Sequence, residues 1–149
     1  MTGSSFEEKR LYTMIKVVIY VIERCGLLST RAERIRSVVS DFMRGNPDVT
    51  GVSIISAEGL VIESSLPAGI DEERASAAFS ALQSIVERVS DQVALGKLNF
   101  LILLTDKGGA ILYPGKKASL VVLMSPKAKI GLLIIDVKDI VEKLKDILD

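Results

Sequence analysis

The chain has 149 residues, 48% hydrophobic and 26% charged, with 19 basic and 19 acidic side chains and so no formal net charge. That is the composition of one globular domain able to bury its own core, without the basic excess that nucleic-acid binding requires. Histidine and tryptophan are absent and Cys25 is the one cysteine. These counts exclude His-based catalysis, His metal ligands, an intrachain disulfide and Cys-based zinc or iron–sulfur sites. A single unpaired cysteine fits a reducing, cytoplasmic setting.

The first apolar segment runs from Phe6 to about Cys25 and includes Leu11, Met14, Ile15 and the run Val17 to Ile22. Its length, its polar ends and Gly26 as a C-terminal cap predict a helix, although the β-branched run also suits a strand. Lys16 interrupts it, and it is shorter than the about 20 apolar residues that cross a bilayer. Glu7 and Glu8 near its start, and the lack of Ala-x-Ala after it, argue against a signal peptide. A helix apolar on most sides has to be covered. Docking on its own domain or a second copy is expected, with a partner or a membrane surface as the alternative.

A second helix is predicted from Ser29, where Thr30 and Glu33 have capping-box spacing. Ile35, Val38, Val39 and Phe42 form its apolar face, and Gly45-Asn46-Pro47 stops it. The period then changes. Gly51 to Ser56 and Leu60 to Ser64 read as a hairpin around Ala57-Glu58-Gly59, with Gly59 supplying a positive φ. A long helix follows, with Asp71 as N-cap and Glu72 and Glu73 complementing its dipole. Ala75, Ala78, Phe79, Leu82, Ile85, Val86, Val89 and Val93 have helical spacing and predict its buried stripe. Ser76, Ala77, Ser80, Ala81 and Ser84 fall on the remaining faces, where small side chains admit another backbone. Three strands come next, Leu98 to Thr105, Gly109 to Tyr113 and Ser119 to Met124. A closing helix from about Ile130 to Leu148 carries the stripe Val137, Ile140, Val141, Leu144, Ile147 and Leu148.

The order helix, helix, two strands, helix, three strands, helix predicts an α/β (α+β) fold. It is a three-layer α/β/α sandwich on a five-stranded antiparallel sheet, with an extra N-terminal helix. Residues 1–28 are expected to form a helical extension and residues 29–149 the domain.

No chemical constellation accompanies this scaffold. Gly109 and Gly115 are separated by five residues rather than the four of a phosphate-binding loop, and Lys117 stands where Ser or Thr belongs. Asp71, Glu72 and Glu73 are dipole complements rather than an acid–base pair. Lys116 and Lys117 with Lys127 and Lys129 could make a small basic patch, though turn lysines are usually solvated. Nothing beside Cys25 except Arg24 would lower its pKa. No nucleophile, base and orienting group appear together, so no catalytic, cofactor-binding or metal-binding residue is assigned and no enzyme is expected. Apolar strands and a small-residue helix face without catalytic equipment point to protein binding.

The stretch GVSIISAEGLVIESSLPAGIDEERASAAFSAL, Gly51 to Leu82, resembles the signature of the Roadblock/dynein light-chain family. GAILYPGKKASLVVLMSPKAKIGLLIIDVKDIVEKL, Gly109 to Leu144, continues the likeness, which covers about Arg31 to Leu148. The resemblance implies dimerisation, with the strand after the long helix pairing with its copy and the long helices side by side. Here that interface would involve Ala77, Ser80, Ala81, Ser84, Leu98, Phe100, Ile102 and Leu104. It also implies a platform or regulator for a Ras-like small GTPase, acting by repositioning the GTPase's own groups. Helical phase offers Glu72, Arg74, Gln83 and Glu87 as partner-facing positions. A second reading is a small-molecule sensor, because VSIISAEGLVIESS also resembles the opening of PAS-like domains. A third is a membrane-surface scaffold acting through the first helix.

Overall fold

A computed structural model describes residues 2–149, with the side chains of residues 2–4 and 22–30 outside the description. The elements are α1 (Thr2–Gly45), β1 (Val49–Ser56), β2 (Val61–Ser65), α2 (Glu72–Gln92), β3 (Leu101–Thr105), β4 (Gly108–Pro114), β5 (Ala118–Met124), α3 (Ile130–Lys143) and α4 (Lys145–Leu148).

The expected break at Gly26 does not occur, since the backbone is helical throughout Thr2–Gly45. A lone glycine costs a helix interior only about 1 kcal/mol relative to alanine, and the next proline is Pro47. The side chains of Cys25 and Thr30 lie outside the described residues. The chain divides into two compact units, 1–35 and 36–149. The first unit is a single helical segment, and a helix alone buries little. Phe6, Leu11, Met14, Val17, Ile19 and Tyr20 are all exposed. The Lys16 ammonium lies 4.8 Å from the centroid of the Tyr12 ring, one turn away. Among the described residues no helix is long and apolar enough to cross a membrane.

The second unit is built on one antiparallel sheet of order β2-β1-β5-β4-β3. β5 is the central strand, and Leu120, Val121 and Val122 are completely buried. Successive side chains alternate between the two faces. On one face Ile55, Leu112 and Val121 form a cluster against which Phe79 of α2 and Leu101 of β3 pack. On the other lie Val52, Ile54, Ile111, Leu120 and Val122. They are covered by the apolar stripes of the C-terminal part of α1 (Val39, Phe42), of α3 (Leu133, Val137, Ile140) and of α4 (Ile147, Leu148), all buried. The result is the expected three-layer α/β/α sandwich.

Two turns fix the ends of the sheet. Gly59 takes φ +86° in the β1–β2 turn, and a Cβ there would lie 3.2 Å from that of Ser80. At the β4–β5 turn, a Cβ on Gly115 would collide with the carbonyl oxygens of Ala118 and Leu148. That close approach lets Lys117 N–H donate to Leu148 O at 2.7 Å, tying α4 to the sheet. The closing helix is interrupted at Leu144, which caps α3 and starts α4. This step turns Leu144, Ile147 and Leu148 inward together.

β3 starts at Leu101, three residues later than the apolar run suggested. Its partner β4 ends at Pro114, which has no N–H to donate, so the ladder stops at the Leu101–Leu112 pair. The buried hydroxyls of Ser53, Ser64 and Ser76 have no hydrogen-bond partner among the described residues. Removing an unpaired buried hydroxyl relieves its desolvation cost, whereas truncating a packed leucine leaves a cavity. Ser76→Ala is therefore expected to keep or raise stability by about 1 kcal/mol. Leu120→Ala is expected to lower it by about 2–5 kcal/mol. Denaturant midpoints check both.

Candidate interaction surface

Helix α2 is the element on which the partner-facing expectations converge. The Asp71 carboxylate accepts from Arg74 N–H at 3.1 Å, closing the N-terminus, and Glu72 and Glu73 occupy the first turn. Its inner side is small and polar. Ser76 and Ser90 are its buried residues, Ser80 lies against Gly59, and Gln83 sits over β5. Ser119 Oγ donates to Gln83 Oε1 at 2.7 Å, and Gln83 Nε2 donates to Glu87 Oε1 at 2.9 Å. Phe79 is the large apolar residue packed on the sheet cluster.

The outer side is the apolar one. Ile85, Val89 and Val93 are 58%, 50% and 58% exposed, and Ala77, Ala78 and Ala81 are exposed beside them. This corrects the expected phase of α2. Ser76 and Ser80 belong to the face on the sheet, and of the eight expected positions Ala75, Phe79, Leu82 and Val86 are half-buried while Ala78, Ile85, Val89 and Val93 are exposed. The signal was in the sequence as a second stripe, Ser76, Ser80, Gln83, Glu87 and Ser90, with spacings of four and three. A serine stripe is inconspicuous because serine neither demands burial nor resists it.

The structure places the other named residues as follows. Ala77, Ala81 and Ser84 are exposed on α2, and Ser84 Oγ donates to Ser80 O at 3.2 Å. Leu98 and Phe100 are half-buried ahead of β3. Ile102 is half-buried and Leu104 exposed within it. Register with β4 puts Ile102 opposite Ile111 and Leu104 opposite Gly109, on the sheet face away from α2. Leu101 and Leu103 point to α2's face. Glu72, Gln83 and Glu87 share one side of α2, while Arg74 lies about 160° away from Glu72 at 100° per residue. Gln83 is half-buried by its hydrogen bonds, and Arg74 Nε lies 3.6 Å from Asp71 Oδ2. Lys116 and Lys117 lie at one end of β5 and Lys127 and Lys129 beyond the other, so they form no common patch. Among the described residues no group of three or more Cys, Asp or Glu could hold a metal ion.

β3 is an edge strand. One side pairs with β4, and no strand among the described residues pairs with the other. Leu103 is 43% and Leu104 62% exposed. An exposed apolar edge is a template for pairing. Leu101 and Phe79 pack on the same cluster, so this edge and α2 flank one sheet face.

This arrangement of a five-stranded antiparallel sheet with one long crossing helix is that of a known class. The profile of the Roadblock/LC7 domain matches residues 35–124, and the chain belongs to that family. Among its relatives, the uncharacterized protein MJ1340 of Methanocaldococcus jannaschii is 31% identical over 97 residues, covering 65% of this chain and 85% of the relative. MJ0714 of the same organism is 32% identical over 97 residues, covering 65% and 82%. The Roadblock/LC7 domain from Streptomyces avermitilis superposes with a TM-score of 0.67 at 18% identity, covering 73% of this chain and 92% of that one. MglB of Myxococcus xanthus gives 0.71 at 15% identity, covering 78% and 88%. These two likenesses establish the fold.

The phase of α2 is checked by substitution. Ile85→Asp with Val89→Asp is expected to leave the far-UV circular dichroism spectrum unchanged. Phe79→Asp, which buries a charge against Ile55, Leu112 and Val121, is expected to unfold the domain. Unfolding by the Ile85/Val89 pair would place that stripe inside.

Proposed function

We propose that the chain is a non-catalytic, homodimeric regulator or scaffold for a Ras-like small GTPase, working in the cytoplasm. The observation that carries this reading is the coincidence of an outward apolar stripe on α2 with an unpaired apolar edge at β3. A second copy covers both at once, helix beside helix and strand beside strand. Covering a valine or isoleucine contributes about 1.5–3 kcal/mol. Ile85, Val89 and Val93 from each copy together reach the scale of the about 4–15 kcal/mol that association costs. Edge pairing adds backbone hydrogen bonds to that sum.

In this reading Ala77, Ala81 and Ser84 let the helices approach, and Ile102 and Leu104 extend the strand contact. Ser80, held against Gly59, supports the helix from below, and Leu98 and Phe100 lead into the paired strand. The Roadblock-like domain spans residues 29–149, and residues 1–28 are an appended helical extension. The GTPase component rests on membership of the Roadblock/LC7 family. With no catalytic constellation of its own, the dimer would act on the nucleotide cycle by positioning the GTPase's groups, or on location by tethering it.

Two measurements test the parts separately. Amide hydrogen exchange at Ile102 and Leu104, whose N–H groups alternate away from β4 toward the open edge, is expected to be slow in the intact protein and fast in the Ile85→Asp/Val89→Asp variant. Fast exchange in both would remove the strand pairing. For the partner, Glu72→Lys with Arg74→Glu is expected to weaken binding to a cognate Ras-like GTPase about tenfold, near 1.4 kcal/mol, without changing self-association. Unchanged affinity would move the contact elsewhere on the dimer.

A further inference from the structure

Helix α1 carries a heptad repeat. With Leu11 at position a and Met14 at position d, every a and d position up to Val39 and Phe42 is apolar, over five heptads without a break. No other heptad position is apolar throughout. The f positions, opposite the seam, are Lys9, Lys16, Glu23, Thr30, Ser37 and Arg44, all polar. An apolar period of 3.5 residues held this long is the signature of a helix that packs knobs-into-holes against another helix of the same period.

One end of this seam is satisfied and the other is not. Ile35, Val39 and Phe42 are at most 9% exposed, so the register marks a face that does pack. Leu11 and Met14, in the same register, are 60% exposed, Val18 53% and Val21 51%. Ile15 at position e and Val17 at position g are exposed beside them and widen the uncovered strip. Val17, Val18, Ile19 and Val21 are β-branched and poor helix formers, so a helix here depends on packing and not on propensity.

The positions flanking the seam select its occupant. From Arg10 to Arg36 the charged residues at e and g are Arg10, Arg24, Arg31 and Arg36, with no acid among them. Arginines in water need no partner of their own, but they decide which helix can lie along the seam. In a parallel self-pair Arg31 would face Arg36 of the copy. In an antiparallel one g meets g, arginine against arginine or valine. A helix with Glu or Asp at e and g removes that repulsion and adds ion pairs. An anionic lipid surface is matched less well, because Glu7, Glu8 and Glu23 are interspersed with the basic residues of this segment.

We propose that the N-terminal half of α1 docks a helix of a different protein, with an apolar a and d seam and acidic residues at e and g. This arm is additional to the α2 and β3 surface and depends neither on that surface nor on the small-GTPase reading.

The probe is a synthetic peptide of about four heptads with Ile at a, Leu at d and Glu at e and g; the control has Lys at e and g. Anisotropy titration of the labelled peptides with the full chain is expected to show saturable binding of the Glu peptide, at least tenfold tighter than the Lys peptide. Arg10→Glu with Arg24→Glu and Arg31→Glu is expected to reverse that preference. Val18→Asp with Val21→Asp, at exposed positions, is expected to weaken the Glu peptide at least tenfold and leave the solution mass unchanged. The proposal is overturned if the Glu peptide does not bind at up to about 100 µM, or if the two peptides bind alike. It is also overturned if Val18→Asp/Val21→Asp lowers the mass of the full chain, which makes the seam a self-association surface. Co-sedimentation of the full chain with phosphatidylcholine–phosphatidylserine vesicles, lost in that variant, would assign the seam to lipid and overturn it too.

Discussion

Helix α2 sets Ser76, Ser80, Gln83 and Ser90 beside Phe79 against its own sheet and turns Ile85, Val89 and Val93 away from it, and the uncovered surfaces of the domain gather around that split. Ser76, Ser80, Gln83 and Ser90 make a thin inner layer in which Phe79 is the main apolar anchor. Ile85, Val89 and Val93 are left half or more exposed. A helix held this way is anchored to the sheet through Phe79 and leaves an apolar surface uncovered on its outer side. Hydrogen bonds such as Ser119–Gln83 fix its azimuth and not its affinity for the sheet, because a neutral pair contributes only about 1 kcal/mol net.

The opposite face of the sheet answers to the usual rule. Val52, Ile54, Leu120 and Val122 share a buried layer with Val39, Phe42, Leu133, Val137 and Ile140, and α4 is tied to the sheet by the Lys117–Leu148 hydrogen bond. One face is therefore a complete core and the other an incomplete one. β3 shares the incompleteness, since its outer edge is unpaired and its apolar side chains are exposed. The two unfinished surfaces adjoin through Leu101 and Phe79, which makes a single covering partner the economical solution.

Most of this fold could be read from residue pattern. β1, β2, β4 and β5 agree with the expected strands to within two residues, because Gly59 and Pro114-Gly115 punctuate them. The Asp71 cap was legible because Asp before a Glu-Glu pair is a strong helix start. Three features were not. Gly26 looked like a stop, but no proline or positive-φ requirement enforces one. β3 was read too long, because its start is set by Pro114 on a neighbouring strand and not by its own composition. The face of α2 was phased only in part, right for Phe79 and wrong for Ile85, Val89 and Val93, because an apolar stripe indicates burial without saying whether the same chain or another provides it. The interaction surface was thus legible as a list of residues but not as a direction. The heptad register of α1 lies in the sequence, but only the fold separates its buried end at Ile35, Val39 and Phe42 from its uncovered end at Leu11, Met14, Val18 and Val21.

Self-association through α2 and β3 is tested most directly by absolute mass from light scattering during size exclusion, for the intact chain and for Ile85→Asp/Val89→Asp. Twice the 16.1 kDa chain mass is expected for the intact protein and the single-chain mass for the variant. A single-chain mass for the intact protein at every concentration would contradict it, as would an undiminished dimer in the variant.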